Sequence, residues 1–228
     1  MVARVLEKEA KELYLDVLPR ATSKAFLKLS QDADWLKTGG WYLAGGTALA
    51  LQVRHRASVD LDFFSKKRMF DTADMEDNLS RAGSWQTTLQ KSGTLYGTFL
   101  GAKASFIAYP FFLPSKEKLH YGAVTLLTPD DIAVMKIIAI SQRGRKRDFV
   151  DLYWYGNNYG DLEAVFYRVL KQYPQKHNMT HILKSLTYFD DAESDPMPNL
   201  NFAASWQEIK AYFRREAPRL ARKLLGLD

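Results

Sequence analysis

Residues 41–65, WYLAGGTALALQVRHRASVDLDFFS, constrain the fold more than any other part of the chain. The first four residues predict a strand, and the pair of glycines that follows predicts a turn. A helix is expected to open at Thr47, and a second strand then carries Asp60 and Asp62. The segment therefore predicts a sheet with helices packed on it and two carboxylates on one strand.

Asp60 and Asp62 are separated by one residue, so their side chains point to the same face of the predicted strand. Apolar residues flank them, which makes each carboxylate costly to bury without a cation. Two like charges on one face also repel each other. A divalent metal removes both costs, and Mg²⁺ (or Mn²⁺) is typically held by one or two carboxylates and substrate phosphates. The alternative is that the pair lies at an exposed strand end and binds Arg54 or Arg56.

Gly45, Gly46 and Thr47 form the turn that leads into the helical segment TALALQVRH. The first backbone N–H groups of a helix have no partner within it, so such a helix start readily binds a phosphate group. The Thr47 hydroxyl is placed either to cap the helix or to contact a phosphate. We therefore predict nucleotide binding at these three residues, with an ordinary strand–helix turn as the alternative.

Lys136 lies within the helical segment DIAVMKIIAI, and the residues one turn before and after it are apolar. A lysine on such a face either extends its ammonium past the apolar surface to water or meets an anion. The second option predicts that Lys136 binds a nucleotide phosphate. Further along the chain, Asp148 and Asp151 are three residues apart in RDFVDL and share one helix face.

A basic run, Arg143, Arg145, Lys146 and Arg147, precedes these two carboxylates. It is either a solvated corner that the carboxylates neutralise or a contact surface for nucleic-acid phosphates. The net charge of +6 and the pI of about 9.3 favour an anionic partner. The last predicted helix adds a second basic face, formed by Arg215, Arg219 and Arg222.

The order of predicted elements divides the chain into two domains, residues 1–127 and residues 128–228. The first is an α/β domain that includes N-terminal helices over residues 3–35, and the second is entirely helical. The sequence has no cysteine, no apolar run of roughly 20 residues and no signal peptide, so we expect a cytoplasmic protein without a membrane segment. Strands are predicted within 84–113 and 119–127, further helices at 70–82, 129–142, 146–156, 161–173, 178–189 and 205–225, and a loop at 190–200.

Four segments, AGGTALAL, SVDLDFF, TPDDIAVMKIIAI and KRDFVDL, follow one another between about residues 40 and 155. Their content and order resemble the AbiEii/AbiGii-type toxin family of the DNA polymerase β-like nucleotidyltransferase superfamily. The resemblance implies an α+β fold, in which a minimal nucleotidyltransferase-like mixed sheet with flanking helices is followed by an all-helical C-terminal domain. It also implies that a toxin of a toxin–antitoxin or abortive-infection system transfers a nucleoside monophosphate from NTP to an acceptor. That acceptor is expected to be RNA, at a tRNA 3′ end, and a cognate antitoxin is expected as a partner.

The resemblance places catalytic roles on Asp60, Asp62, Lys136 and Asp148. Asp60 and Asp62 would hold Mg²⁺ or Mn²⁺, and the NTP phosphates would lie on the glycine turn. Lys136 would bind the triphosphate. Asp148 would either orient Lys136 or act as a base towards the acceptor hydroxyl.

The later strands depart from the superfamily, which usually carries a third carboxylate there. Residues 84–116 contain no Asp or Glu, and Ser105 or Phe106 stands where the acid is expected. A centre with three carboxylates and two metal ions is therefore not expected from this sheet alone. Two alternatives to a nucleotidyltransferase follow, namely a catalytically degenerate protein that binds nucleotide or RNA, and a protein-modifying transferase or kinase on the same scaffold.

Overall fold

The chain separates into two compact units, Met1–Thr128 and Pro129–Asp228. No helix in the described part of the chain is long and apolar enough to cross a lipid bilayer. The structure is a computed structural model, and it describes residues 7–9, 12–115, 117–175 and 177–226.

A mixed sheet forms the N-terminal unit, and within the described residues it has eight strands. The strands are β1 (Glu7–Glu9), β2 (Trp41–Ala44), β3 (Leu61–Ser65), β4 (Trp85–Lys91), β5 (Thr94–Phe99), β6 (Ala102–Ala108), β7 (Lys118–Tyr121) and β8 (Val124–Leu126). Their order across the sheet is β1-β7-β8-β2-β3-β6-β5-β4. At the centre, β3 runs antiparallel to β2 and parallel to β6. With its flanking helices, this sheet confirms the predicted α+β class.

The helices of the N-terminal unit pack on this sheet. Helix α1 contacts β6, and α4 contacts β4 and β5. An aromatic core joins these layers, because the buried Phe106 ring lies 5.1–6.1 Å from four other aromatic rings, those of Trp35, Trp41, Phe63 and Trp85. The helices are α1 (Arg20–Asp32), α2 (Asp34–Thr38), α3 (Gly45–Val53) and α4 (Thr72–Ala82), with a 3₁₀ turn at Leu15–Val17.

The two faces of β3 differ in burial. Leu61, Phe63 and Ser65 are buried on the side of the aromatic core, whereas Asp62 and Phe64 are only partly buried on the other side. This alternation follows from the two-residue period of a strand. The apolar side is thus committed to packing, and the opposite side is left for the carboxylates.

The prediction of helices over residues 3–35 is wrong in its first part. Glu7–Glu9 form a strand that pairs in parallel with β7, and the first α-helix begins only at Arg20, after Pro19. Pairing with a distant strand decides this structure, and no local pattern in the sequence reveals it. Residues 3–6, 10 and 11 of that prediction lie outside the described residues.

The C-terminal unit is helical, as predicted, in its described residues. Its first helix begins at Pro129, where the TPDD pattern places a helix start. Part of the loop predicted at 190–200 is instead a short helix, and the helix predicted at 178–189 ends at Ser185. The helices are α5 (Pro129–Arg143), α6 (Lys146–Asn158), α7 (Leu162–Gln172), α8 (Met179–Ser185), α9 (Asp190–Glu193) and α10 (Trp206–Leu225).

Candidate active site

The carboxylate pair lines a cavity on the open face of the sheet. Asp62 lies in β3 and Asp60 directly precedes that strand, and both side chains are partly exposed. The cavity has a volume of about 200 Å³. Besides the two carboxylates, it is lined by hydroxyl-bearing, lysine and small side chains, including Thr88, Tyr96, Thr98, Lys103 and Ser105.

Ser105 occupies the place where a third carboxylate is expected. It is the partner of Asp62 in the β3–β6 register, and its hydroxyl donates a hydrogen bond of 2.6 Å to Oδ1 of Asp62. Phe106, the other candidate position, points to the opposite face and stacks on Phe63. Within the described residues, no group of three or more His, Cys, Asp or Glu side chains is arranged to hold a metal ion.

The start of α3 lies beside the same carboxylate. Ala44, the last residue of β2, pairs with Asp62, and α3 begins at Gly45 instead of at Thr47. Gly45 has a φ of +70°, and a Cβ added to it would stand 3.4 Å from Oδ2 of Asp62. The N-cap residue of α3 is Ala44, whose side chain makes no capping hydrogen bond, and the first N–H groups of a helix have no partner within it.

The Thr47 hydroxyl has a different role from the predicted cap or phosphate contact. The side chain is buried, and its hydroxyl donates to the backbone carbonyl of Asp60. Ser58 Oγ lies 2.8 Å from Thr47 Oγ1, and because a hydroxyl has one hydrogen, Ser58 is the donor in that pair. Thr47 therefore fixes the backbone at Asp60. Its hydroxyl is engaged in this way, so a phosphate contact by Thr47 would have to use its backbone N–H in the first turn of α3.

The donors at the carboxylate pair fit Mg²⁺ or Mn²⁺. They are hard oxygen ligands from Asp60 and Asp62, with one oxygen of Asp62 held by Ser105 and the other facing Gly45. Two protein carboxylates leave coordination positions for phosphate oxygens. Of the two arginines considered as alternative partners, Arg54 binds Asp16 at 2.5 Å.

Lys136 lies in the C-terminal unit, in a buried cluster with two carboxylates. Its Nζ is 2.6 Å from Oδ1 of Asp148 and 2.7 Å from Oδ2 of Asp151. The Lys136 side chain is 7% exposed and both aspartates are fully buried, so the alternative in which the ammonium extends to water is wrong. An ammonium has three N–H donors, and these two ion pairs engage two of them.

Asp148 holds Lys136 in place. Its second oxygen, Oδ2, lies 3.4 Å from Nε of Arg143, so the carboxylate sits between two cations. This geometry agrees with an orienting role. It leaves the carboxylate enclosed, which disfavours direct contact with an acceptor hydroxyl.

Half of the basic run is tied to the segment around α9. Arg145 forms an ion pair of 2.8 Å with Asp195, and Lys146 is buried. The Lys146 ammonium donates to the carbonyls of Glu193 at 3.2 Å and Asp195 at 2.5 Å, and it stands 5.2 Å above the Trp206 ring. The prediction that Lys146 contacts nucleic acid is therefore wrong. Arg143 and Arg147, in contrast, have exposed side chains.

The second basic face is largely paired with acidic residues. Arg215 and Arg219 both bind Glu216, at 3.1 and 2.8 Å, and Arg219 also lies 3.9 Å from Asp161 and from Glu163. Its positive charge is thus partly neutralised. This favours the solvated-flank alternative for two of the three arginines.

Lys103 was not among the predicted site residues. Its spacing of two from Ser105 is the signal that places both on one face of a strand. The same spacing does not show which strand lies next to β6, so its closeness to the carboxylates follows only from the sheet order.

Known proteins resemble this chain over most of its length. The family model described as "Nucleotidyl transferase AbiEii toxin, Type IV TA system" matches residues 31–93 and 102–224. An uncharacterized protein of Aquifex aeolicus is 34% identical over 179 residues, which cover 77% of this chain and 85% of that protein.

Two solved structures share the fold at low sequence identity. JHP933 from Helicobacter pylori has a TM-score of 0.54 and 16% identity, with 92% of this chain and 96% of that chain covered. MenT4, a nucleotidyltransferase toxin from Mycobacterium tuberculosis, has a TM-score of 0.55 and 18% identity, with 89% and 86% covered.

Proposed function

The chain belongs to the AbiEii nucleotidyltransferase toxin family, and we propose that it transfers a nucleoside monophosphate from NTP to the 3′ end of an RNA, with tRNA as the acceptor, in a reaction that needs Mg²⁺ or Mn²⁺. It is thus a transferase of toxin type. The finer assignments of metal, acceptor and residue roles rest on the side chains described above.

One observation carries the proposal, namely that the start of α3 and the carboxylate pair lie side by side. Ala44 and Asp62 are paired in the sheet, and Oδ2 of Asp62 faces Gly45. A helix start binds anionic phosphate, and a carboxylate pair binds the cation that accompanies it. Gly45, Gly46 and the backbone of Thr47 would therefore bind the triphosphate beside Asp60 and Asp62.

The reaction joins the acceptor hydroxyl oxygen to the α-phosphorus of the NTP. The bond from this phosphorus to the oxygen that bridges to the β-phosphate breaks, so pyrophosphate and one proton are released. A divalent cation held by Asp60 and Asp62 would supply neutralisation of charge on the phosphate oxygens. Thr47 contributes by fixing the carbonyl of Asp60, which limits movement of the adjoining carboxylate.

Lys136 is assigned to the triphosphate through its third N–H. Asp148 and Asp151 hold two of its donors at 2.6 and 2.7 Å, which restricts the directions available to the remaining one. A lysine held in this way loses little conformational entropy when it binds an anion. Asp148 then acts as a positioning residue for Lys136.

An RNA acceptor is supported by the net charge of +6 and by the exposed Arg143 and Arg147. Lys146 does not contribute to this surface, because its ammonium is buried on two carbonyl oxygens. The family is one of toxin–antitoxin systems, so an antitoxin that neutralises this protein is the expected protein partner. The open reading frame next to its gene is the first place to look for it.

Transfer of labelled phosphate separates the proposal from its alternatives. Purified protein is incubated with tRNA and Mg²⁺, and with NTP labelled at either the α- or the γ-phosphate. Label from the α-phosphate on tRNA supports the proposal, and label from the γ-phosphate on any acceptor indicates a kinase. Label from the α-phosphate on protein indicates a protein-modifying transferase.

The second candidate function is a degenerate protein that binds nucleotide or RNA, and Ser105 in the place of a third carboxylate favours it. In that case NTP binds but neither label is transferred. Equilibrium dialysis with each of the four NTPs, measured beside the transfer assay, distinguishes binding without transfer from loss of both.

A further inference from the structure

Lys103 shares the site cavity with the carboxylate pair. It lies on β6 two residues before Ser105, so both side chains belong to the face that carries Asp62. It is exposed, and it forms no ion pair or side-chain hydrogen bond with any residue that the structure describes. An exposed ammonium beside two carboxylates and without a partner is available to an anionic ligand.

Ser105 and Lys103 both make the side chains of the centre more positive, which offsets the absence of a second cation. Ser105 removes one negative charge from the position beside Asp62, and Lys103 adds one positive charge to the cavity. Three carboxylates with two divalent cations have a net formal charge of plus one. Two carboxylates with one divalent cation and one ammonium have the same net charge. A third carboxylate and a second cation are thus replaced without a change in the net formal charge that a triphosphate meets.

We propose that this centre binds one divalent cation, at Asp60 and Asp62, an inference that rests on the proposed function. Lys103 then supplies positive charge at the nucleotide phosphates, in the role that a second cation has in a three-carboxylate centre. Ser105 has a positioning role. Its hydroxyl holds Oδ1 of Asp62 at 2.6 Å, so the other oxygen of that carboxylate stays directed towards Gly45 and the start of α3.

The number of bound cations tests the first half of the proposal. Mn²⁺ is titrated into the full chain saturated with each α,β-methylene nucleoside triphosphate, which cannot release pyrophosphate, and free Mn²⁺ is followed by electron paramagnetic resonance. We expect one Mn²⁺ per complex in the unsubstituted protein and two in Ser105→Asp, which restores the third carboxylate. Two ions in the unsubstituted protein, or one in a folded Ser105→Asp, overturns it.

The role of Lys103 is tested by nucleotide affinity, measured by calorimetry with the same analogues. We expect Lys103→Ala to weaken binding by about tenfold or more, because a charge-assisted contact to phosphate is lost. Lys103→Arg should retain affinity within about threefold, since the charge remains. Lys91→Ala, at an exposed lysine on β4 that does not line the cavity, is the matched control and should bind normally. Equal affinity of Lys103→Ala and Lys91→Ala overturns the assignment.

These measurements need no turnover, so they separate this inference from the proposed function. Transfer from α-labelled NTP with two bound Mn²⁺ would leave the proposed function intact and exclude the single-cation centre. Absence of transfer with one bound Mn²⁺ and a weakened Lys103→Ala would exclude the proposed function and retain the site. Should Ser105→Asp fail to fold by circular dichroism, the stoichiometry of the unsubstituted protein and the Lys103 variants still decide the question.

Discussion

Nζ of Lys136 lies 2.6 Å from Oδ1 of Asp148, a carboxylate that solvent does not reach. Asp151 approaches the same ammonium at 2.7 Å. Two buried carboxylates this close are tolerable only because the lysine lies between them. The triad therefore has a structural role in the packing of α5 on α6, whatever it contributes to nucleotide binding.

Lys136→Met should destabilise the protein strongly, by about 3–5 kcal/mol. The methionine fits the apolar helix face but leaves two buried carboxylates without a cation. The free energy of unfolding in urea measures this effect. A loss below about 1 kcal/mol would contradict the buried triad.

The triple variant Lys136→Met, Asp148→Asn, Asp151→Asn separates stability from nucleotide binding. It removes all three charges, so most of the lost stability should return. Affinity for α,β-methylene nucleoside triphosphates should remain reduced if Lys136 contacts the triphosphate. Normal affinity in a stable triple variant would remove Lys136 from the nucleotide site.

Asp60→Asn and Asp62→Asn should each reduce transfer by at least about a hundredfold, since a cation ligand worth several kcal/mol in the transition state is weakened. In the absence of metal, Asp62→Asn should not lower the melting temperature, because it removes one of two like charges while its amide oxygen can still accept the hydrogen bond from Ser105. Transfer assays with Mg²⁺ and thermal melting in EDTA measure the two effects. Asp77→Asn, at an exposed carboxylate on α4, is the control. Full activity in either site variant would refute the metal assignment.

Gly45→Ala should impair the centre more than its backbone strain explains. Gly45 and Gly40 have φ values of +70° and +72°, so alanine at either position costs about 1–2 kcal/mol. Only at Gly45 does the added methyl stand 3.4 Å from Asp62 Oδ2, whereas nothing lies within 4 Å at Gly40. We expect Mn²⁺ affinity to fall about tenfold in Gly45→Ala alone. Equal affinities in the two variants would show that α3 does not adjoin the cation site.

Arg147→Glu should weaken RNA binding and reduce its salt dependence. If Arg147 contacts a phosphate of a single strand, the slope of log affinity against log salt should fall in magnitude by about 0.7. Fluorescence anisotropy with labelled tRNA over a salt series measures this slope. Lys171→Glu makes the same charge change at an exposed position on α7 and should leave the slope unaltered.

Lys146→Met should lower stability and leave RNA binding unchanged, in contrast to Arg147→Glu. It removes a buried ammonium from two carbonyl oxygens, which should cost about 1–3 kcal/mol of unfolding free energy. Its slope in the tRNA salt series should match that of the unsubstituted protein. A reduced slope without a loss of stability would restore Lys146 to the RNA surface.

Local patterns in the sequence determined much of the fold and the identity of the carboxylate pair. The two-residue period around Asp60 and Asp62 placed both carboxylates beside an apolar strand face, and the TPDD pattern placed the start of α5 at Pro129. The order of four short motifs indicated the family that the comparison with known proteins shows. Such features are readable because they depend only on neighbours a few residues away.

Tertiary structure alone decided which distant residues meet. In the β3–β6 register the neighbour of Asp62 is Ser105 and not Phe106. Glu7–Glu9, which were expected in a helix, form β1 because they pair with β7. The sequence could not show that Lys146 is buried against a loop 49 residues further on. The periodicity of a sequence predicts which face of a strand or helix a side chain occupies. Its partner on that face depends on the pairing of segments far apart in the chain, and this pairing fixes register and burial together.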